Sequence, residues 1–175
     1  METRFAVDRP LGRLARWLRL LGRDAVLRRE MEGRALLVLA AREERVVLTR
    51  DERLVREPGR ARVHLLRADR FREQVREMVA AGLLDPAATP KPRCTACNGE
   101  PHEVASSDLP PSVPMRVRES GATFSRCPGC GRIAWDGSQA DRIGAEIAAL
   151  GLAVPPPFRR PSADPAAPST SVASA

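Results

Sequence analysis

Two sets of side chains in this sequence have the type and spacing to do chemistry. Four cysteines stand as two C-x-x-C pairs, "CTAC" at 94–97 and "CPGC" at 127–130, with 29 residues between them. One pair places two thiolates on a single ion, and two pairs complete a tetrahedral set of soft sulfur ligands with no open position. Zinc held by Cys94, Cys97, Cys127 and Cys130 in a structural role is therefore expected; iron on the same ligands and a redox dithiol pair are the alternatives. The second set is acidic. Asp8 follows the short apolar run "RFAV", and Asp51 follows "RVVLT". Carboxylates emerging at one end of neighbouring strands can share a hard divalent cation, Mg²⁺ or Mn²⁺, which lowers the pKa of a bound water and neutralises charge on a phosphodiester. Each aspartate also has a plain structural alternative. Asp8 can cap the helix that follows it, and Asp51 can sit in a first helical turn behind a T-x-x-E capping box of Thr49 and Glu52.

These residues need elements to position them. Short β-type runs at 4–7, 24–27, 45–49 and 62–66 alternate with helical patterns at about 10–22, 33–44 and 69–82. That order predicts an α/β fold with a parallel sheet flanked by helices, in which ligands bind beyond the carboxyl ends of the strands. The first domain is read as residues 1–85, and the proline-rich "PAATPKPR" at 86–93 as a linker. Residues 94–151 are read as the cysteine module with a following helix, in which Ser138 is the cap, Ile143, Ile147 and Leu150 share a face, and Gly151 is the stop. Residues 152–175, rich in Pro, Ser and Ala, read as a disordered tail.

The first helix has two faces. Leu11, Leu14, Leu18 and Leu21 form an apolar arc, while Arg13, Arg16, Arg19 and Arg23 form a second arc pointing largely away from it. No acid interrupts residues 9–23, so the stripe lacks the i,i+4 ion pairs that commonly neutralise such a face. It is either a solvated surface or a surface for phosphates, with Arg13 and Arg16 as the candidate contacts. The whole chain agrees with an anionic partner: 175 residues carry a net charge of +7. Aromatics make up 3% and Tyr is absent, so the core must be aliphatic. No apolar stretch approaches the ~20 residues that span a bilayer, and the charged N-terminal segment does not read as a signal peptide. A cytoplasmic protein is expected, in whose reducing surroundings the cysteines bind metal rather than pair.

"FAVDRPLGRLARWLRLLGRDA", then "VVLTRD", then a four-cysteine module resembles the Mut-seven C-terminal RNase domain family over about residues 3–145. The resemblance extends to "RCTACN" and to "WDGS" after the second cysteine pair, where relatives often continue with His and this chain has Gln139. It implies a PIN-like ribonuclease fold joined to a zinc ribbon, and metal-dependent RNA cleavage by an acidic cluster in which Asp8 and Asp51 match the best-marked acids. Asp24 matches a recurring position with a structural role. PIN-like domains often carry a further acid at the start of the helix before the "TRD" strand. Gly33 stands near that place here, with Glu30 and Glu32 just before it, and Glu32 is the candidate substitute. Arg93, Arg126 and Arg132 flank the cysteine pairs and could extend an RNA-binding surface. Trp135 is expected to pack the ribbon, His64 to pack in or edge a strand, and His102 to face solvent. The leading expectation is an endoribonuclease. The alternative is a non-catalytic RNA-binding or ribosome-associated adaptor.

Overall fold

Four short strands, β1 (Phe5–Val7), β2 (Ala25–Val26), β3 (Val46–Thr49) and β4 (Arg62–Leu65), pair in parallel in the order β2-β1-β3-β4 in the computed structural model, which describes residues 2–158. β1 and β3 are central and buried throughout, which is why they read as unbroken apolar runs rather than alternating ones. Successive side chains point to opposite faces and so divide the core in two. Phe5, Val7, Val46 and Leu48 face α1 (Gly12–Leu20) and α4 (Phe71–Ala80), whereas Ala6 and Val47 face α2 (Arg34–Arg42) and the short α3 (Glu52–Arg56). The expected leucine arc of α1 is buried as a unit: Leu11, Leu14, Leu18 and Leu21 all join the first core. The α/β class and the flanked parallel sheet are as the alternation predicts.

The cysteine pairs belong to a second, antiparallel sheet of β5 (His102–Val104), β6 (Phe124–Arg126) and β7 (Ile133–Trp135), with the short helix α5 (Met115–Arg118) before β6. Its own core is small, centred on Leu109, Val113 and Phe124. The chain then returns to the first core. Helix α6 (Ser138–Ala149) buries Ile147 there, and Glu146 accepts two hydrogen bonds from Arg72 of α4 at 2.5 and 2.6 Å. Ser138 is the first helical residue rather than the cap: extended Gly137 holds that place without a side-chain bond. Gly151, at φ +74°, ends the helix as expected.

The expected tail starts too early in the sequence reading. Leu152 is buried, Val154 and Phe158 pack against the first core, and the Ala153 N–H donates to the Pro86 carbonyl at 2.7 Å. Composition registered the prolines but not the apolar surface waiting beside α6. The rest of that segment, 159–175, lies outside the described residues. Among the described residues no helix is long and apolar enough to cross a membrane.

The cysteine module is fastened to the amino-terminal edge of the parallel sheet. Asp24, just before β2, accepts from both terminal nitrogens of Arg45 at 2.7 and 3.2 Å and from Asn98 Nδ2 at 2.7 Å. Asn98 Oδ1 in turn accepts the Ala25 N–H at 3.0 Å. One asparagine beside the first cysteine pair thus holds the start of β2 with both ends of its amide. Burial pushes the Asp24 carboxyl upward, but the bonds from Arg45 and Asn98 outweigh it and hold the group below the usual carboxylate range. A depressed carboxylate contributes stability above its unfolded pKa of about 3.9 and loses it as pH falls through the lower folded value. Asp24→Ala is expected to cost about 2–3 kcal/mol near neutral pH, because buried Arg45 loses a two-point carboxylate partner and keeps only Glu43 and the Phe5 carbonyl, while Asn98 Nδ2 loses its acceptor. Urea titrations at a series of pH values should show the gap to the wild type begin to close as pH falls below ~4, and close further as pH passes the lower folded value.

Gly22 supplies a second fastening. Its φ is +75°, and a methyl group there would lie 2.6 Å from the Pro90 carbonyl oxygen and 2.7 Å from that of Lys91. Gly22→Ala is expected to lower stability by roughly 2–4 kcal/mol in the same titration, combining left-handed backbone strain with a clash against backbone that has no side chain to yield.

Candidate active site and cysteine centre

Asp8 is the first residue past β1, and its N–H donates to the Leu48 carbonyl at 3.0 Å, extending the pairing with β3 by one position. The residue is buried, at 9% exposure. Oδ2 accepts the Thr49 hydroxyl at 2.7 Å, and Oδ1 accepts the Arg9 N–H at 2.8 Å. The same Thr49 oxygen accepts the Asp51 N–H at 3.0 Å, so one fully buried hydroxyl ties both aspartates together. Asp51 Oδ1 accepts the Arg53 N–H at 2.9 Å and caps α3. The capping box therefore does not form as the spacing suggested: Asp51, not Thr49, is the cap, and Glu52 pairs with Arg56 instead. Thr49 cannot cap because its hydroxyl is turned inward to Asp8.

These two acids stand on adjacent strand ends at the point where the strand order reverses. β1 leads outward to β2, and the chain returns past β1 to β3. In open parallel sheets the diverging connections at such a point leave the usual ligand position. Capping consumes little of the acids' capacity. A carboxylate offers about four lone-pair directions, and each hydrogen bond above uses one. Hard oxygens with spare acceptor sites suit Mg²⁺ or Mn²⁺, and Mg²⁺ is commonly held by one or two carboxylates and several waters. The donor set fits.

Glu32 takes a different position. It is 56% exposed on its side chain and ion-paired with Arg9, on the loop before α2, whose cap position is Gly33. Among the described residues the four cysteines are the one set of three or more potential ligands gathered within 4.8 Å of one another, so Glu32 does not join both aspartates in so tight a group. An acid the sequence reading passed over lies nearer in connectivity. Asp69, in the loop between β4 and α4, is ion-paired with Arg50, the neighbour of Asp51. The signal was weaker there: Asp69 follows the fourth strand, but further past its end than Asp8 and Asp51 stand past the first and third.

The arginine arc splits along α1. Arg13 and Arg16 are exposed, and the Arg13 guanidinium lies 4.3 Å from the centre of the Phe71 ring, which stacks on Trp17 at 5.1 Å. Arg19 and Arg23 are engaged within the chain instead. Arg19 is 6% exposed and donates to the carbonyls of Ala25 (2.8 Å), Thr95 (2.9 Å) and Ala96 (3.2 Å). Arg23 reaches Glu2 at 3.5 Å and the Asp85 carbonyl at 3.3 Å. The reason is docking: the first cysteine pair covers the C-terminal half of α1 and converts a surface arginine into a strut.

The cysteine centre fits zinc. All four sulfurs lie within 4.8 Å of one another, with Cys94 and Cys130 at 3.6 Å and Cys97 and Cys127 at 3.3 Å. A tetrahedral ion with bonds of ~2.3 Å needs sulfurs ~3.8 Å apart. The two loops match in detail. Asn98 and Gly131, each four residues after the first cysteine of its pair, have φ of +70° and +71° and donate their N–H to that cysteine's carbonyl at 2.8 Å. Burial opposes ionisation of Cys94, yet the N–H groups of Cys97 and Ala96 and the neighbouring thiols bring it down to about 7. Burial also lowers the Arg19 pKa, and the neighbouring Cys94 and Cys97 sulfurs counter that only in part.

The surroundings of the centre are mostly structural. Arg93 binds the Asn98 carbonyl and Glu100, and Arg126 the Asp108 carbonyl, leaving Arg132 exposed. Trp135 does not pack the module as expected: it is 45% exposed, although its register pairing with Phe124 puts it on the same face of the sheet as the small core. His102 is exposed as predicted, and His64 is half-buried in β4 with Nε2 unpartnered. Gln139 is exposed in the first turn of α6, and the four thiolates are complete without it.

Comparison with curated proteins and with solved structures gave no match. The family model described as Mut7-C RNAse domain does match, over residues 3–147, a span that begins ahead of β1 and takes in the acidic edge, both cysteine pairs and most of α6. With that much of its length covered, the chain belongs to the Mut7-C RNase domain family.

Proposed function

We propose that this chain is a metal-dependent endoribonuclease of PIN-like fold, whose zinc ribbon braces the sheet from the opposite edge. The observation that carries this reading is the Asp8–Thr49–Asp51 link at the switch point, in a chain of an RNase family. Asp8 and Asp51 would hold Mg²⁺ or Mn²⁺, which when bound supplies positive charge to a phosphodiester and acidifies water for its hydrolysis. The chain's own residues prepare the site. Thr49 orients Asp8 by donating to one oxygen and fixes the Asp51 backbone with the same hydroxyl. The exposed Arg13 and Arg16 supply charge for the flanking strand, and zinc on four thiolates, a closed shell, has a structural role only.

A second reading, an RNA-binding or ribosome-associated adaptor without catalysis, is favoured by one observation: Glu32 is committed to Arg9 while Gly33 stands near the place of the further acid. Incubating labelled RNA with the purified chain, with and without Mn²⁺, separates the two. Cleavage that requires Mn²⁺ and is lost in Asp8→Asn and Asp51→Asn supports the nuclease. Salt-sensitive binding without cleavage supports the adaptor.

A further inference from the structure

Beside the acidic edge, an open groove of about 540 Å³ runs between the first turns of α1 and α4. It adjoins the site at both walls. Pro10 is two residues from Asp8, and Asp69 is paired with Arg50 next to Asp51. Four arginines line it, Arg13, Arg70, Arg72 and Arg76, against Asp69 and Glu73. Two of these charges are already matched: Arg72 by Glu146 and Asp69 by Arg50. Arg13, Arg70 and Arg76 make no ion pair among the described residues, and all three are exposed. Glu73 is the remaining carboxylate, so the groove keeps an excess of two positive charges.

This surface is held still before any ligand arrives. Gln74, 4% exposed, donates to the Ala68 carbonyl at 2.9 Å and to that of Asp69 at 3.3 Å. Glu77 accepts the N–H groups of Arg67 and Ala68, both at 3.0 Å. The loop that presents Arg70 is therefore braced from two side chains of α4. Arg13 is fixed by stacking on Phe71, itself stacked on Trp17. A guanidinium laid on an aromatic face keeps its in-plane donors free and loses little freedom on meeting an oxyanion. A volume of this size holds a ligand of about nucleotide dimensions.

From this we propose that the groove is the track by which the RNA strand leaves the acidic edge, with successive backbone phosphates held by Arg13, Arg70 and Arg76. The proposal rests on the ribonuclease reading and names the residues that position its substrate. Arg16 does not line the groove, so of the two arginines singled out on α1 only Arg13 belongs to the track.

Binding tests it separately from catalysis. The assay is fluorescence anisotropy of a fluorescein-labelled single-stranded RNA 12-mer, with no divalent cation added and the zinc left in place, using the full chain carrying Asp51→Asn. The triple variant Arg13→Ala/Arg70→Ala/Arg76→Ala is expected to bind at least about tenfold more weakly. The slope of log K against log[salt] should shrink by about 2, as three single-strand phosphate contacts require. Arg13→Lys alone should weaken binding severalfold, because a lysine keeps the charge but not the stacked fork. The control removes three exposed arginines, Arg34, Arg42 and Arg60, from the α2 and α3 side, and should change affinity less than threefold. Equal losses in the two triple variants, or an unchanged slope in the groove variant, overturn the track. Retained cleavage in Asp8→Asn overturns the acidic edge as the cleavage site and leaves the binding result to decide the track by itself.

Discussion

Asp8→Asn is expected to reduce Mn²⁺-dependent RNA cleavage by about a thousandfold or more, equivalent to ~4 kcal/mol of transition-state stabilisation. The substitution is nearly isosteric, and the Thr49 hydroxyl can still donate to the remaining amide oxygen. What disappears is the negative charge and one acceptor, since an amide nitrogen now replaces an oxygen that accepted a hydrogen bond. The stability cost of that exchange is about 1–2 kcal/mol, or a few degrees in melting temperature for a chain of this size. Asp51→Asn should lower cleavage comparably with an even smaller stability cost, because its side chain is exposed and its cap bond survives through the amide oxygen. Rate measurements beside thermal melts of the same preparations check both. A large rate loss with a small melting shift is the pattern of a site, and the reverse is the pattern of a cap.

Removing metal from the cysteine centre is expected to produce the largest stability change in the molecule. Structural zinc contributes about 10–16 kcal/mol in small zinc peptides, and the core of the module here is too small to replace it. The loss should not stay local. Arg19 from α1 holds the first cysteine loop by two carbonyls, and Asn98 holds Asp24 and the start of β2. Cys127→Ser, or treatment with a strong zinc chelator, should therefore expose the backbone amides of 94–135 to rapid exchange and lower the melting temperature by about 10 °C or more. Metal analysis of the untreated chain should return one zinc per molecule. An unchanged melting curve after complete metal removal would contradict the bracing role.

The sequence revealed these features unequally, and the difference has a physical cause. Local periodicity placed the leucine arc of α1, and alternation placed Asp8 and Asp51 past the strands that pair as neighbours. Spacing alone found the cysteine set, because two C-x-x-C turns leave little geometric choice. Periodicity fails where a distant segment docks. Arg19 reads as one more member of a basic face until a loop 76 residues further on covers it. Leu152 and Phe158 read as tail until α6 is seen to lie on the first core. Asn98 looked like an ordinary residue after a cysteine pair, and its positive φ and doubly bonded amide belong to the docked structure. Asp69 was passed over for a simpler reason: it stands four residues past its strand rather than directly behind it.

RNA cleavage at this edge depends on two carboxylates holding one cation, and anomalous diffraction from crystals soaked in MnCl₂ reads that directly. The expected result is a manganese peak at the carboxyl edge of the sheet within bonding distance of both Asp8 and Asp51, lost in the Asp8→Asn protein. A map with no peak there, from a protein that still cleaves RNA, would contradict it.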